Sequence, residues 1–178
     1  MSKDLIIAFS LFILTGCNTA EEKILKQSER IHKEFLTVDT HCDTPMNMVE
    51  SGFDLGEKHD FGCVDFPRMK EGGLNAEFFA AFLPQGVRND SAYEAIHKQT
   101  VNIFNTIHQN IEKNSSVAGI ALEPEDGYKL KKEGKIAAYI GLENGYAIGK
   151  DISLIKQYYD LGARYITLCH SSNNDICD

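Results

Sequence analysis

The chain has 178 residues, 43% hydrophobic and 25% charged, which suits one ordinary folded domain and carries no signature of disorder. With 26 acidic against 18 basic residues the formal charge is −8, and no stretch of Lys and Arg interleaved with aromatics occurs. That argues against a nucleic-acid-binding surface, which needs clustered Lys and Arg.

Lys3 precedes an apolar run from Leu5 to Leu14, too short to span a bilayer and suited to the core of a signal peptide. Leu14-Thr15-Gly16-Cys17 then resembles a bacterial lipobox. Residues 1–16 are expected to be removed, leaving Cys17 lipid-modified as the new N-terminus. The mature protein would be anchored at the bacterial cell envelope, on the periplasmic or outer surface. A cleaved secretory signal with an incidental Cys17 is the alternative. Nothing downstream is long and apolar enough for a membrane span. Of the later cysteines, Cys42, Cys63, Cys169 and Cys177, none has CxxC spacing. They allow three pairings that sequence does not rank, and buried thiols suit most of them.

Residues 17–34 form a post-anchor segment. Ile24, Ser28, Ile31 and Phe35 at helical spacing predict an amphipathic helix over 20–34. A short strand follows, from Phe35 to Thr40, and ends on His41-Cys42-Asp43. Residues 44–71 read as irregular, broken by Gly52, Gly56, Gly62 and Pro67, with one helical turn at 66–71. A second strand is expected over 73–83, stopped by Pro84 and Gly86. Ser91-Ala92-Tyr93-Glu94 looks like a capping box. It would open a long helix with Ile96, Thr100, Ile103, Phe104, Ile107 and Ile111 along one face. His97 and His108 fall outside that stripe and are expected on a solvated surface. A helix over 125–133 is closed by Gly134. Ile136 to Leu142 is nearly continuous apolar sequence, as in a buried parallel strand, and Glu143 stands at its end. A helix capped by Asp151 runs to Leu161, and a fourth strand, 163–168, carries His170 at its end.

In an extended strand, side chains at i and i+2 leave the same face. His41 and Asp43 would point together into one cavity and Cys42 the other way, an N/O half-site for a divalent metal such as zinc. The competing reading makes His41 and Asp43 caps of a helix starting near Thr44-Pro45. Ligand-type residues at three strand ends (His41 and Asp43, Glu143, His170) match the place where a (β/α) barrel keeps its chemistry, because right-handed crossovers open all those ends onto one face. A doubly wound open sheet is the alternative, although no Gly-rich nucleotide-binding turn follows the first strand.

Four segments occur in one order: Val38-Asp39-Thr40-His41-Cys42-Asp43-Thr44-Pro45, Val64-Asp65-Phe66-Pro67-Arg68-Met69-Lys70-Glu71-Gly72-Gly73, Ile140-Gly141-Leu142-Glu143-Asn144-Gly145, and Arg164 to Asn174. From about residue 30 onward the chain resembles the membrane (renal) dipeptidase family of binuclear zinc hydrolases. The resemblance implies an eight-stranded (β/α) barrel, of which residues 35–178 are the N-terminal half. It implies two zinc ions per site, with His41 and Asp43 on the first and Glu143 bridging both. It places His170 against the substrate and its developing oxyanion. The implied partners are a dipeptide substrate, a membrane through the lipid anchor, and, for the full-length form, a second copy. In the family two further histidines, a basic residue and an aspartate come from later strands. No histidine follows His170, and the chain stops at Asp178, so an inactive fragment truncated after the fourth strand is expected. Another amidohydrolase-type metal hydrolase and a non-catalytic surface lipoprotein are the competing functions.

Overall fold

The computed structural model describes residues 19–177; the signal segment and Cys17 lie outside them. Among the described residues, five strands form one parallel sheet: β1 (Val38–Cys42), β2 (Ala76–Phe82), β3 (Ala118–Ile120), β4 (Ile136–Glu143) and β5 (Ala163–Ile166). Strand β2 lies between β1 and β4. On the far side of β4, β3 pairs with its first residues (Ala118 beside Ile136) and β5 with its later ones (Ile140 beside Ala163). The parallel pairing agrees with the barrel expectation. The strand count does not: β3 was not anticipated, so the expected fourth strand is the fifth. Three residues, one of them Gly119, are too few to show a strand period.

Strand β4 is central because its run is apolar on both faces, and seven of its eight residues are buried. One face, with Phe79, Ala81, Leu83, Ala138, Ile140 and Leu142, packs under the helices. The long helix α4 (Asp90–Lys113, in chain order after α1 Ala20–Glu34, α2 Thr44–Ser51 and α3 Phe66–Gly72) buries the six predicted stripe residues there. Full burial of a side chain such as Phe104 contributes about 1.5–3 kcal/mol. The opposite face carries Ala76, Ala137 and Tyr139, with Leu36 and Phe78 against them. It lines an open concavity of about 410 Å³ with Val38, Leu122 and Arg164. Helices α5 (Pro124–Lys132) and α6 (Ser153–Asp160) complete the order.

Several local expectations change. Residues 44–51 are helical: Pro45 occupies the first turn, where its missing N–H costs nothing, and Met48 anchors the helix in the core. The cap of α4 is Asn89, whose side chain accepts from Ala92 N, not Ser91; Glu94 pairs with Lys98 instead. Helix α6 starts at Ser153, whose N–H and hydroxyl both donate to Asp151 Oδ1. His97 and His108 are half-buried and couple α4 to α6: His97 Nδ1 lies 2.8 Å from Tyr158 Oη, and His108 Nε2 2.8 Å from Leu161 O. Partners on a neighbouring element are invisible to a single-helix pattern.

Helix α1 forms as expected, with a Thr19/Glu22 capping box, but buries none of its residues. In the second quoted segment, buried Asp65 caps α3 through Arg68 N (2.8 Å) and accepts from Arg68 Nε (2.6 Å) and His59 N (3.0 Å). Burial alone would raise this carboxyl's pKa, but those hydrogen bonds and the guanidinium charge hold it below the usual range. That segment is a fold element. No helix of the described residues is long and apolar enough to cross a membrane.

Candidate metal centre

The site begins with an irregularity in β1. Val38 pairs with Ala76 and Asp39 with Glu77, but the next pairing is Cys42 with Phe79. Three steps along β1 are taken against two along β2, so one extra residue is inserted, a β-bulge. Paired residues in a parallel sheet share a face, so Val38 points to the open side with Ala76, and Cys42 points to the helix side with Phe79. Strict alternation would have kept Val38 and Cys42 together. The bulge puts His41 and Asp43 on the open side and buries Cys42. Burial pushes the Cys42 thiol up to about 11, and its Sγ lies 2.8 Å from Thr44 Oγ1. The thiol is therefore protonated at neutral pH and turned away from the site.

Glu143 ends β4 with its side chain 12% exposed. Its Oε2 lies 3.1 Å from His41 Nε2, and Asp43 Oδ1 lies 3.3 Å from the same nitrogen. One donor atom from each of His41, Asp43 and Glu143 falls within 4.8 Å of the others. A tetrahedral zinc with bonds of about 2.0–2.1 Å has ligand–ligand edges of about 3.3 Å. The donor set and its spacing therefore fit zinc, with a fourth position left for water or substrate. The helix-cap reading of this segment is half right. Asp43 does occupy the N-cap position of α2, but its side chain makes no capping hydrogen bond. Its carboxylate turns to His41 instead.

His170 is not on a strand end; β5 stops at Ile166 and His170 follows on a loop. Its Nε2 nonetheless comes to 3.5 Å from Glu143 Oε1, and Phe82 meets its ring edge-on at 5.0 Å. The loop is held by two buried asparagines. Asn174 Nδ2 donates to Leu168 O (2.7 Å) and Asn144 Oδ1 (3.1 Å). Asn144 Nδ2 donates to Leu83 O (2.9 Å), and Asn144 N donates to Thr167 Oγ1 (2.8 Å). Asn144, directly after Glu143, thus ties the ends of β2 and β5 together. It does so at φ 80°, a backbone conformation that costs most non-glycine residues of order 1–3 kcal/mol.

Tyr165 and Gly141 also shape the site, and neither was singled out from sequence. Tyr165 Oη lies 2.8 Å from His41 Nδ1. Its ring sits on Gly141, where an added Cβ would come within 2.0 Å of Tyr165 Cζ. Burial, and then the charges of Glu143 and Asp43, raise the Tyr165 phenol far above its ordinary pKa, so it stays protonated. An apolar β4 followed by a strand with tyrosine was legible. That this tyrosine would cross over a glycine to the first strand was not, because strand register is not local information. The α4 histidines, His97 and His108, take no part in the cluster.

The fold has clear counterparts. The probable dipeptidase PvdM from Pseudomonas aeruginosa superposes with a TM-score of 0.75 at 24% identity, over 86% of this chain and 39% of that one. A metallopeptidase from Rhodobacter sphaeroides, solved with a phosphinate mimic of the dipeptide L-Ala-D-Ala, matches with a TM-score of 0.65 at 17% identity, over 78% and 46%. This is the TIM-barrel type of α/β fold, represented in part. Dipeptidase ataJ of Aspergillus terreus is 30% identical over 150 residues, which are 79% of this chain and 37% of the relative. Dipeptidase verJ of Clonostachys rogersoniana is 31% identical over 65% of this chain and 31% of the relative. The chain thus spans about a third of the length of these curated relatives. The ordered segments, the parallel sheet and these likenesses are joined by a match to the family itself over residues 25–178: the chain belongs to the membrane dipeptidases, peptidase family M19.

Proposed function

We propose that this chain carries the first part of a zinc-dependent dipeptidase active site, and that the whole protein hydrolyses dipeptides. The observation that carries the reading is the convergence of His41 Nε2, Asp43 and Glu143 at the C-terminal ends of β1 and β4, with zinc-compatible spacing. His41, Asp43 and Glu143 would hold the first cation. Glu143 turns Oε2 toward His41 and Oε1 toward His170, so its second oxygen points away from the first cation's position, on the side where a second cation would be bridged. Bound zinc supplies Lewis acidity toward a scissile carbonyl and makes a water acidic near neutral pH. His170, at 48% side-chain exposure, is open to substrate. Its Nε2–H can donate to the carbonyl oxygen as negative charge gathers there, and Phe82 keeps the ring from turning away.

The binuclear character, the inactivity of this chain alone and the envelope location belong to the same proposal. Among the described residues one group of three ligand-type side chains converges, which suffices for one cation. The ligands of a second would come from further barrel strands. Lipidation at Cys17 would hold the protein on a membrane surface.

The test is zinc titration of the 178-residue chain together with dipeptide turnover by the full-length protein. The chain is expected to bind about one zinc and hydrolyse nothing. The full-length protein is expected to cleave dipeptides, lose turnover to a chelator and regain it with zinc. His41→Ala and Glu143→Ala should abolish both binding and turnover. Zinc binding that survives both substitutions would sink the assignment, and chelator-sensitive turnover by the 178-residue chain would sink the claim of an incomplete site.

A further inference from the structure

His41 offers its two ring nitrogens in different directions. Nε2 faces Asp43 and Glu143 at 3.3 and 3.1 Å, and Nδ1 faces Tyr165 Oη at 2.8 Å. A neutral imidazole has one N–H donor and one acceptor nitrogen, so whatever bonds to one nitrogen restricts the other. A carboxylate or backbone carbonyl at Nδ1 could only accept. A phenol hydroxyl can do either, by turning about its C–O bond.

The oxygen itself cannot wander. Tyr165 is wedged over Gly141, with its ring carbons 2.0–2.4 Å from where a Cβ would stand. Phe78 packs on it at 5.6 Å, and the His41 ring lies nearly parallel to it at 6.2 Å. A side chain reaching across from β5 to β1 over a glycine is a rigid support for the imidazole. The hydroxyl hydrogen is its only soft coordinate.

We propose that Tyr165 is the positioning residue of the centre: its hydroxyl serves Nδ1 of His41 in either tautomer, accepting from it or donating to it, and so holds the ring with Nε2 presented to the cation. This rests on the zinc reading above. With Nε2 on the metal, Nδ1–H donates to Tyr165 Oη. With the proton on Nε2, directed at the two carboxylates, the hydroxyl turns and donates to Nδ1. The ring keeps one proton in both arrangements, and neither leaves a nitrogen without a partner.

Tyr165→Phe keeps the ring on Gly141 and removes only the oxygen. The 178-residue chain, labelled with 15N-histidine, is examined by NMR with and without zinc, and its zinc affinity is measured by chelator competition. His108, whose Nε2 donates to Leu161 O at 2.8 Å, reports within the same spectrum that the chain is folded. In the wild-type chain His41 should hold one tautomer without zinc and the Nδ1–H tautomer with it. In Tyr165→Phe the zinc-free Nδ1 should lose its hydrogen-bond partner and move toward the shift of an unbonded ring nitrogen, and zinc affinity should fall about tenfold. Gly141→Ala, which drives the phenol off the strand, should reproduce both changes. Identical His41 shifts in wild type and Tyr165→Phe, with the His108 signals intact, would overturn the inference whether or not zinc binds. A wild-type chain that fails to take up zinc while the Nδ1 shift difference between the two chains persists would instead overturn the zinc reading and leave the pairing standing.

Discussion

Glu77 sits in β2 beneath the helices with no exposed surface, directly beside Asp39 of β1. Burial, and then the Asp39 charge, push its carboxyl from the ordinary 4.5 to about 8. In the unfolded chain the same group ionises near 4.5. The folded protein therefore holds a proton that the unfolded chain has given up. Stability contributed by this group is full below about pH 4.5, falls as pH rises, and levels off above about pH 8. The slope is about 1.4 kcal/mol per pH unit, so at pH 7 Glu77 costs of order 3 kcal/mol relative to a group that does not titrate. That is a large fraction of the roughly 5–15 kcal/mol that stabilises an ordinary domain. Glu77→Gln removes the titration while keeping the shape. Burying the amide adds an offset of about 1–3 kcal/mol, but that offset does not change with pH. Urea unfolding of both chains between pH 5 and 8.5 is the assay. The stability of Glu77→Gln relative to wild type should rise by about 2–3 kcal/mol from pH 5 to pH 7. A difference that stays flat with pH would refute the argument, because Glu77 would then ionise alike in both states.

His97→Ala should lower stability by about 1 kcal/mol, through loss of the bond to Tyr158 Oη, and leave zinc affinity unchanged. Urea midpoints and zinc titration of the same variant check this, and a change in zinc affinity would mean that α4 reaches the site. Cys17→Ala should leave the precursor uncleaved and without label from a radioactive fatty acid in a bacterial host. Normal processing and membrane retention of that variant would refute the lipobox.

The readable parts of this chain were those whose physics is local. The run Ile136 to Leu142 and the stripe from Ile96 to Ile111 declare a central strand and a half-buried helix, because burial imposes their composition and period. His41 and Asp43 were legible as a pair for the same reason. What escaped depends on partners far along the chain. Strand β3 is three residues that become a strand only beside Ile136. His97 and His108 look solvated until α6 arrives. Tyr165 and Asn144 matter because register carries one over Gly141 and aims the other at Leu83 and Thr167. Only the ordered segments, taken together, linked Glu143 to a histidine about a hundred positions earlier in the chain.

The bulge in β1 makes the centre depend on a count as well as on residue identity. Ahead of it, even-numbered positions face the open side; beyond it, odd-numbered ones do. Pairing residue for residue across this stretch, with no extra residue taken up, would exchange the two faces from that point on. The imidazole and the carboxylate would be driven into the packed layer around Phe79, and the Cys42 sulfur would be delivered to Glu143. A hard N/O donor set would become one with a thiol in it, with no ligand residue substituted. Deleting Thr40 would instead remove the extra residue itself and leave His41 and Asp43 on the open side, so the donor chemistry follows from chain length and bulge together.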